Sequence, residues 1–272
     1  QVALLPFMVR EQKMSAFKYT SQSLALSILA TLIYSSQATA QRPPVLPGFT
    51  LNDGVATDDP GDDALISESD LFKVRTSGDE KLKARTEVVY LTEKIGNCRE
   101  RSLHIPGLDM MSLPKDKRES LEMSLNAIRS RQLASLLNRR GPFLAILGNQ
   151  TNALRDLDEA VDFDSEYAPA YNNRAWLRAQ QGELSGALSD VNKALSLAPK
   201  MEEAYDTRGT INLAQKRLNE ALNDFNTSID LNDNYAEAYY HRAIAHKLLG
   251  DIASYKADEN IAKQLETLQS SK

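Results

Sequence analysis

The stretch AYNNRAWLRAQQGELSGALSDVNKALSLAP, residues 170–199, decides the fold of this chain. It contains two segments with apolar residues at helical spacing, separated by Gly182 and followed by Pro199. The second segment has an apolar stripe at 3.6-residue spacing, formed by Leu184, Leu188, Val191 and Leu195. Glycine permits a tight turn between helices, and proline ends the helix that it follows. The stretch therefore predicts two antiparallel helices joined by a short turn.

The same residue types return every 34 residues on both sides of this stretch. The register holds without a gap through four blocks, at 134–167, 168–201, 202–235 and 236–265. Small residues recur at the eighth and twentieth places, namely Gly141, Ala175, Gly209 and Ala243, then Ala153, Ala187 and Ala221. Small facing residues let antiparallel helices approach closely, and a fixed period of this length indicates a stack of helical pairs.

The pattern resembles the tetratricopeptide repeat. Residues 170–199 match a complete unit, and AYDTRG (204–209) and AYYHRA (238–243) open the next two. The resemblance implies an all-α, right-handed superhelical solenoid of about four helix-turn-helix repeats. Two features depart from the family pattern. The eleventh place of each block carries Leu144, Arg178, Asn212 and His246, and Pro142 lies inside the first helix, where it is expected to kink or shorten that helix.

The last block has polar residues where the other blocks have apolar ones. Lys256, Glu259 and Lys263 replace large apolar residues that the next repeat would bury. A terminal repeat needs a polar outer face because it has no following neighbour. We therefore predict that the array ends at 265 and that TLQSSK (267–272) is a frayed tail.

In the resembled family the first helix of each pair lines an inner face that binds peptides. Carried over to this chain, the groove residues are Asn138, Asn172, Trp176, Gln180, Asp206, Thr210, Leu213, Tyr240, Ile244 and Lys247. Amides can hydrogen-bond a peptide backbone, and Trp176 can either anchor a side chain or pack between neighbouring first helices. Because Lys247 is the only basic member, the set does not predict a clamp for a terminal carboxylate.

Two charged columns also keep the 34-residue register. Arginines stand at the seventh place of each block and aspartates at the twenty-third, namely Arg140, Arg174, Arg208 and Arg242, with Asp156, Asp190, Asp224 and Asp258. Exposed charges have no reason to keep such a register, since exposed pairs stabilise a fold little. We predict partly buried, bidentate pairs that fix the angle between units. The alternative is that these residues hold a ligand in the groove.

The N-terminal 40 residues have the pattern of a signal peptide, with translation expected to start at Met14. Lys18 precedes an apolar run, LALSILATLIY (24–34), and small residues at 38–40 fit a cleavage site between Ala40 and Gln41. This predicts export to a periplasm, to the outside of the cell, or to an organelle lumen such as the thylakoid lumen. The alternative is an uncleaved N-terminal anchor, which would make this a membrane-anchored repeat protein.

Residues 41–66, rich in proline and acidic residues, are predicted to be a disordered linker. Residues 67–133 are predicted to be an N-terminal helical region that caps the array, with helices at 79–95 and 114–131. Gly96 is expected to stop the first of these helices. The second directly precedes the first repeat, so we expect it to be the capping element.

Composition and motifs indicate a binding protein rather than an enzyme. The formal net charge of −5 and the lack of a basic run argue against nucleic acid as a partner. No catalytic, metal or cofactor motif is found, and His241 and His246 are five residues apart, on different faces of a helix. Cys98 is the only cysteine, so the chain has no internal disulfide.

The function predicted is an exported adaptor that binds a protein or peptide. The alternative is an assembly factor or enzyme with its activity in residues 67–133, whose local candidates are Glu80, Glu93, His104 and Asp109.

Overall fold

A computed structural model of the chain describes residues 78–100 and 109–270. The predicted signal peptide, the linker and the segment that contains His104 lie outside these residues. The α-helices of the described ranges are α1 (Gly78–Glu100), α2 (Lys115–Ile146), α3 (Gln150–Phe163), α4 (Ala168–Gln180), α5 (Leu184–Leu197), α6 (Glu202–Ala214), α7 (Leu218–Leu231), α8 (Ala236–Leu248) and α9 (Ile252–Ser270), with a short 3₁₀ turn at Met110–Ser112. None of these helices is long and apolar enough to cross a membrane.

The described residues fall into two compact units. Residues 109–132 belong to one, and residues 78–100 with 133–270 form the other. In the second unit the helices pack as successive antiparallel pairs, α4 with α5, α6 with α7, and α8 with α9, and each pair contacts the next. The predicted all-α stack of helical pairs is confirmed, with the core running between the two helices of every pair.

The turns inside the pairs share one backbone conformation. Gly148, Gly182 and Gly250 have φ of 80°, 79° and 80°, and Lys216 has φ of 60° at the corresponding place of the third repeat. A side chain in this left-handed region costs about 1–2 kcal/mol, which is why glycine is favoured there. Lys216 is therefore a place where the repeat geometry overrides the preference of the residue.

Replacing Lys216 by glycine is expected to stabilise the protein by about 0.5–1 kcal/mol, because relief of the left-handed strain exceeds the greater flexibility of the unfolded glycine chain. At the corresponding place of the second repeat, Gly182→Ala introduces a side chain and is expected to destabilise the protein by about 1 kcal/mol or more. Urea unfolding of both variants measures the two effects. A loss of stability in Lys216→Gly would contradict this account of the turn.

In the first three repeats, the residues at the eighth and twenty-fourth places have complementary sizes. A Cβ on Gly209 would stand 2.5 Å from the ring of the buried Phe225, and one on Gly141 would stand 3.1 Å from Leu157. The second repeat has the opposite combination, Ala175 with the smaller Val191. A larger residue on the second helix thus requires glycine on the first, because the two helices are in direct contact there.

Gly209→Ala is expected to destabilise the array by about 1–3 kcal/mol, because the buried Phe225 ring must move to make room for the methyl group. Combining it with Phe225→Val recreates the pairing of the second repeat. A double-mutant cycle by chemical denaturation should therefore give a favourable coupling of about 1 kcal/mol or more. Strict additivity of the two single substitutions would show that the sites do not constrain each other.

The predicted boundaries of three helices are corrected. Residues 115–146 form one helix rather than a capping helix followed by a repeat helix, and α2 continues through Pro142 instead of ending there. A proline removes only one backbone donor, and Pro142 is fully buried, so packing holds the helix around it. Gly96 lies inside α1, which runs to Glu100. At the other end, α9 extends to Ser270, so residues 267–270 are helical rather than frayed.

The helix that packs against the first repeat within this unit is α1, whereas the sequence suggested the helix at 114–131. Ile95 joins a buried cluster with Leu133, Leu137 and Val161, and Val88 packs against a second cluster. The contact is extended by charged pairs, Arg139 with Glu87 at 3.0 Å and Arg99 with Glu159. Helix α1 therefore covers the apolar face of the first repeat. At the far end Lys256 and Lys263 are exposed and Glu259 is partly exposed, as a terminal face requires.

Candidate functional site

The two charged columns meet inside each repeat. Each arginine donates from Nε and Nη2 to the two carboxylate oxygens of the aspartate sixteen residues later, at 2.6–3.0 Å: Arg140 to Asp156, Arg174 to Asp190, Arg208 to Asp224 and Arg242 to Asp258. The aspartates are only 3–6 % exposed. Hydrogen bonding to the carboxylate raises the pKa of each arginine, and in Arg174 the opposing effect of burial is the largest single one. We call these four pairs the charge ladder.

The third nitrogen of each arginine reaches the preceding helical pair. Nη1 of Arg174 donates to Asp158 at 2.9 Å, Nη1 of Arg208 to Asn192 at 3.3 Å, and Nη1 of Arg242 to Asn226 at 2.7 Å. One guanidinium therefore ties its own repeat to the one before it. The sequence carried the signal, since Asp158, Asn192 and Asn226 are also 34 residues apart, but this acceptor column was missed.

In the first repeat the same donor meets α1. Nη1 of Arg140 donates to Oγ1 of Thr92 at 3.0 Å. Thr92 is thus the hydrogen-bond acceptor in the first repeat, as Asp158, Asn192 and Asn226 are in the later repeats. Helix α1 occupies the place of the second helix of a preceding repeat. This equivalence is not visible in the sequence, because α1 does not share the 34-residue register.

The unusual eleventh-place residues of the second, third and fourth repeats face the aspartates of the ladder. Nη1 of Arg178 donates to Asp190 at 2.6 Å, and Nδ2 of Asn212 donates to Asp224 at 3.0 Å. Nε2 of His246 lies 3.9 Å from Asp258. A donor at this place can satisfy carboxylate oxygens that burial removes from water, although the first repeat buries Asp156 with Leu144 at the same place.

We predict that Asp190→Asn destabilises the protein by about 3 kcal/mol, because Arg174 and Arg178 would both lose a buried anionic partner. Asp158→Asn is the matched control. Asp158 accepts from the same Arg174, but its side chain is 46 % exposed, so a loss below about 1 kcal/mol is expected. Thermal and urea unfolding compare the two. Loss of partner binding at unchanged stability in Asp190→Asn would favour the alternative, that the ladder holds a ligand.

The predicted groove residues divide by accessibility. Six are buried: Asn138, Asn172, Asp206, Thr210, Leu213 and Ile244. Trp176, Gln180 and Tyr240 are partly exposed, and Lys247 is exposed. In this conformation a partner can meet only the last four, which we call the accessible set. The burial follows from contacts between neighbouring first helices, α4 with α6 and α6 with α8.

Two hydrogen bonds involve the buried polar members Asn138, Asp206 and Thr210. Nδ2 of Asn173 donates to Oδ1 of Asn138 at 3.0 Å across the first and second repeats. Oγ1 of Thr210 donates to the carbonyl of Asp206 at 2.9 Å within α6. These residues thus contribute to the junctions between repeats.

His241 is the centre of the face that the first helices form, although sequence analysis had not placed it among the groove residues. Its Nδ1 lies 2.8 Å from Oδ1 of Asp206, and both side chains are buried. Three aromatic rings surround it, with centroid distances of 6.2 Å to Trp176, 5.9 Å to Phe225 and 5.7 Å to Tyr240. Trp176 of the second repeat therefore meets His241 of the fourth. It both packs between first helices and keeps part of its surface accessible.

Carboxylates gather around the same centre. Burial raises the pKa of Tyr235 well above its usual value, and Asp206, Glu237, Glu203 and Glu202 raise it further. Burial also raises the pKa of Glu237, an effect strengthened by Asp206 and Glu266 and opposed by His241 and by a backbone hydrogen bond. Apart from Glu266 of α9, these acidic residues belong to the first helices α6 and α8.

Two of the catalytic candidates predicted in residues 67–133, Asp109 and Glu93, lie in the described part of the chain. Oδ1 of Asp109 accepts from the backbone N–H of Met111 at 3.0 Å and caps the 3₁₀ turn. Glu93 is an exposed residue of α1. No group of three or more potential metal ligands occurs in the described residues.

The architecture and two sequence matches agree on the class of protein. Residues 168–201 match the family described as tetratricopeptide repeat, and residues 209–250 match a family described as TPR repeat. These two stretches therefore have the sequence pattern of tetratricopeptide repeats. No curated protein matches the chain.

Several solved structures of repeat proteins are similar to this chain. The first TPR domain of the human RPAP3 protein is 24 % identical and covers 48 % of this chain and 98 % of its own, with a TM-score of 0.41. The first TPR of Spaghetti (RPAP3), bound to the HSP90 peptide SRMEEVD, is 26 % identical over 44 % of this chain and 95 % of its own, with a TM-score of 0.41. MamA from Desulfovibrio magneticus RS-1 is 15 % identical over 72 % of this chain and 99 % of its own, with a TM-score of 0.42.

Proposed function

We propose that this protein is an exported scaffold that binds a protein or peptide on the face formed by the first helices of its repeats. The observation that carries the proposal is the partial exposure of Trp176 and Tyr240 beside a buried centre. Large aromatic side chains at the middle of a surface are the residues that most often dominate the binding energy of protein interfaces. Gln180 and Lys247 add hydrogen-bonding groups on the same face.

The proposal is supported by a separation between residues that bond within the array and residues that remain accessible. The arginines and aspartates of the charge ladder bond to one another, and the amide of Asn138 is joined to that of Asn173. These groups hold the repeats at a fixed angle, so the accessible set lies on rigid helices. A face fixed in this way pays less conformational entropy when a partner binds.

Trp176→Ala is expected to weaken partner binding by tenfold or more while it costs less than about 2 kcal/mol of stability, because the ring is only partly buried. Tyr90→Ala is the matched control, since Tyr90 is an aromatic residue of α1, 47 % exposed and outside this face. The test compares both variants with wild type for the recovery of one identified partner from the native compartment, alongside their unfolding free energies. A large loss of stability with unchanged binding would make Trp176 a core residue only.

The exported location rests on the N-terminal pattern and is part of the proposal. We expect the mature protein to begin at Gln41, after removal of the apolar run at 24–34. Mass spectrometry of the native protein tests this expectation through its N-terminal peptide. Recovery of peptides from residues 20–35 in a membrane fraction would favour the uncleaved anchor instead.

A further inference from the structure

Negative charge and aromatic rings converge at one place on the first-helix face. Asp206 lies at the centre, in contact with His241, and Glu237 stands one helical turn before His241 on α8. The rings of Trp176 and Tyr240 flank His241 at 6.2 Å and 5.7 Å. Carboxylates next to the faces and edges of aromatic rings form the surroundings that an organic cation prefers, because ring quadrupole and anion attract it together.

Further carboxylates extend this charge beyond the centre. Glu202 and Glu203, at the start of α6, act on Tyr235 together with Asp206 and Glu237, and Glu266 of α9 acts on Glu237. The one basic member of the predicted groove is turned elsewhere. Nζ of Lys247 lies 5.4 Å from the ring centroid of Tyr255 on α9. The first helices α6 and α8 thus carry four acidic residues, Glu202, Glu203, Asp206 and Glu237.

The arrangement has a cost in the protein without a partner. Glu237 is held where burial and the nearby Asp206 both disfavour its charged form. A cation brought by a partner would favour the charged form of this carboxylate. The same carboxylates would also speed the encounter with a basic partner.

We propose that this face binds a positively charged peptide segment, with an arginine or lysine side chain seated against Trp176 and Tyr240 and facing Glu237. The inference rests on the proposed function, since it names the chemical class of the partner for the same face. It follows from charge complementarity. The accessible aromatic rings give contact area, and the surrounding carboxylates select the cation.

The only tryptophan of the chain is Trp176, so its fluorescence reports directly on this face. The probe is a capped peptide of alternating arginine and alanine, and the matched peptide has glutamate in place of arginine. We expect the arginine peptide to change the Trp176 fluorescence saturably, with an affinity that falls as salt is added, and the glutamate peptide to leave it unchanged.

Glu237→Gln should weaken binding of the arginine peptide roughly fivefold, because it removes a charge close to the bound cation. Glu220→Gln is the control, as Glu220 is an exposed residue of α7, the second helix of its pair, and the affinity of this variant should equal that of wild type. Circular dichroism and melting confirm that each variant is folded. If Glu237→Gln does not fold, Glu203→Gln takes its place.

Equal binding of the glutamate peptide, equal weakening by Glu220→Gln, or no saturable response to the arginine peptide would each overturn the inference. None of these results removes the proposed function. That function fails by a different result, namely unchanged recovery of the native partner by Trp176→Ala.

Discussion

The array depends on the bidentate bond between the arginine of each first helix and the aspartate of its second helix. The bond joins the two helices of a repeat, and the remaining nitrogen of the same guanidinium reaches the repeat before it. A planar group with donors on three sides can make both contacts at once, which a lysine ammonium on its flexible stem cannot do with the same fixed geometry. Pair spacing and repeat angle are therefore set by one side chain. The tyrosines three residues earlier, such as Tyr171, cover one face of that guanidinium.

The two ends of the array are finished in different ways. At the N-terminal end α1 supplies both the apolar cover and the acceptor Thr92, so the first arginine finds the partner that a preceding repeat would provide. At the C-terminal end the second helix carries lysines and a glutamate on its outer face. A stack of repeats must either cover an apolar end face or make it polar, because each repeat buries its apolar surface only against its neighbours. This protein uses one solution at each end.

The face of the first helices uses different residues for stability and for the recognition proposed above. Asn138, Asp206 and Thr210 are used within the stack, where burial requires that they be hydrogen-bonded. Trp176 and Tyr240 keep accessible surface and lie close to the only buried histidine–carboxylate contact of the described residues. The packing that makes this face rigid also concentrates its carboxylates near these rings. The character of the binding surface is thus a consequence of how closely repeats two, three and four pack.

The sequence by itself determined the helical pairs, their number and the positions of the ladder residues, because each of these is written as a period of 34 residues. It also indicated the turns at Gly182 and Gly250, because each turn depends on one residue whose backbone adopts a positive φ. Tertiary structure decided which groove residues are accessible, since burial depends on the angle between repeats and on contacts such as Trp176 with His241, 65 positions along the chain. It also decided that α1 completes the ladder, because Thr92 is brought to Arg140 by packing and not by the repeat register. Periodicity specifies what every repeat does alike, whereas contacts made once in the molecule are set by the packing of the whole array.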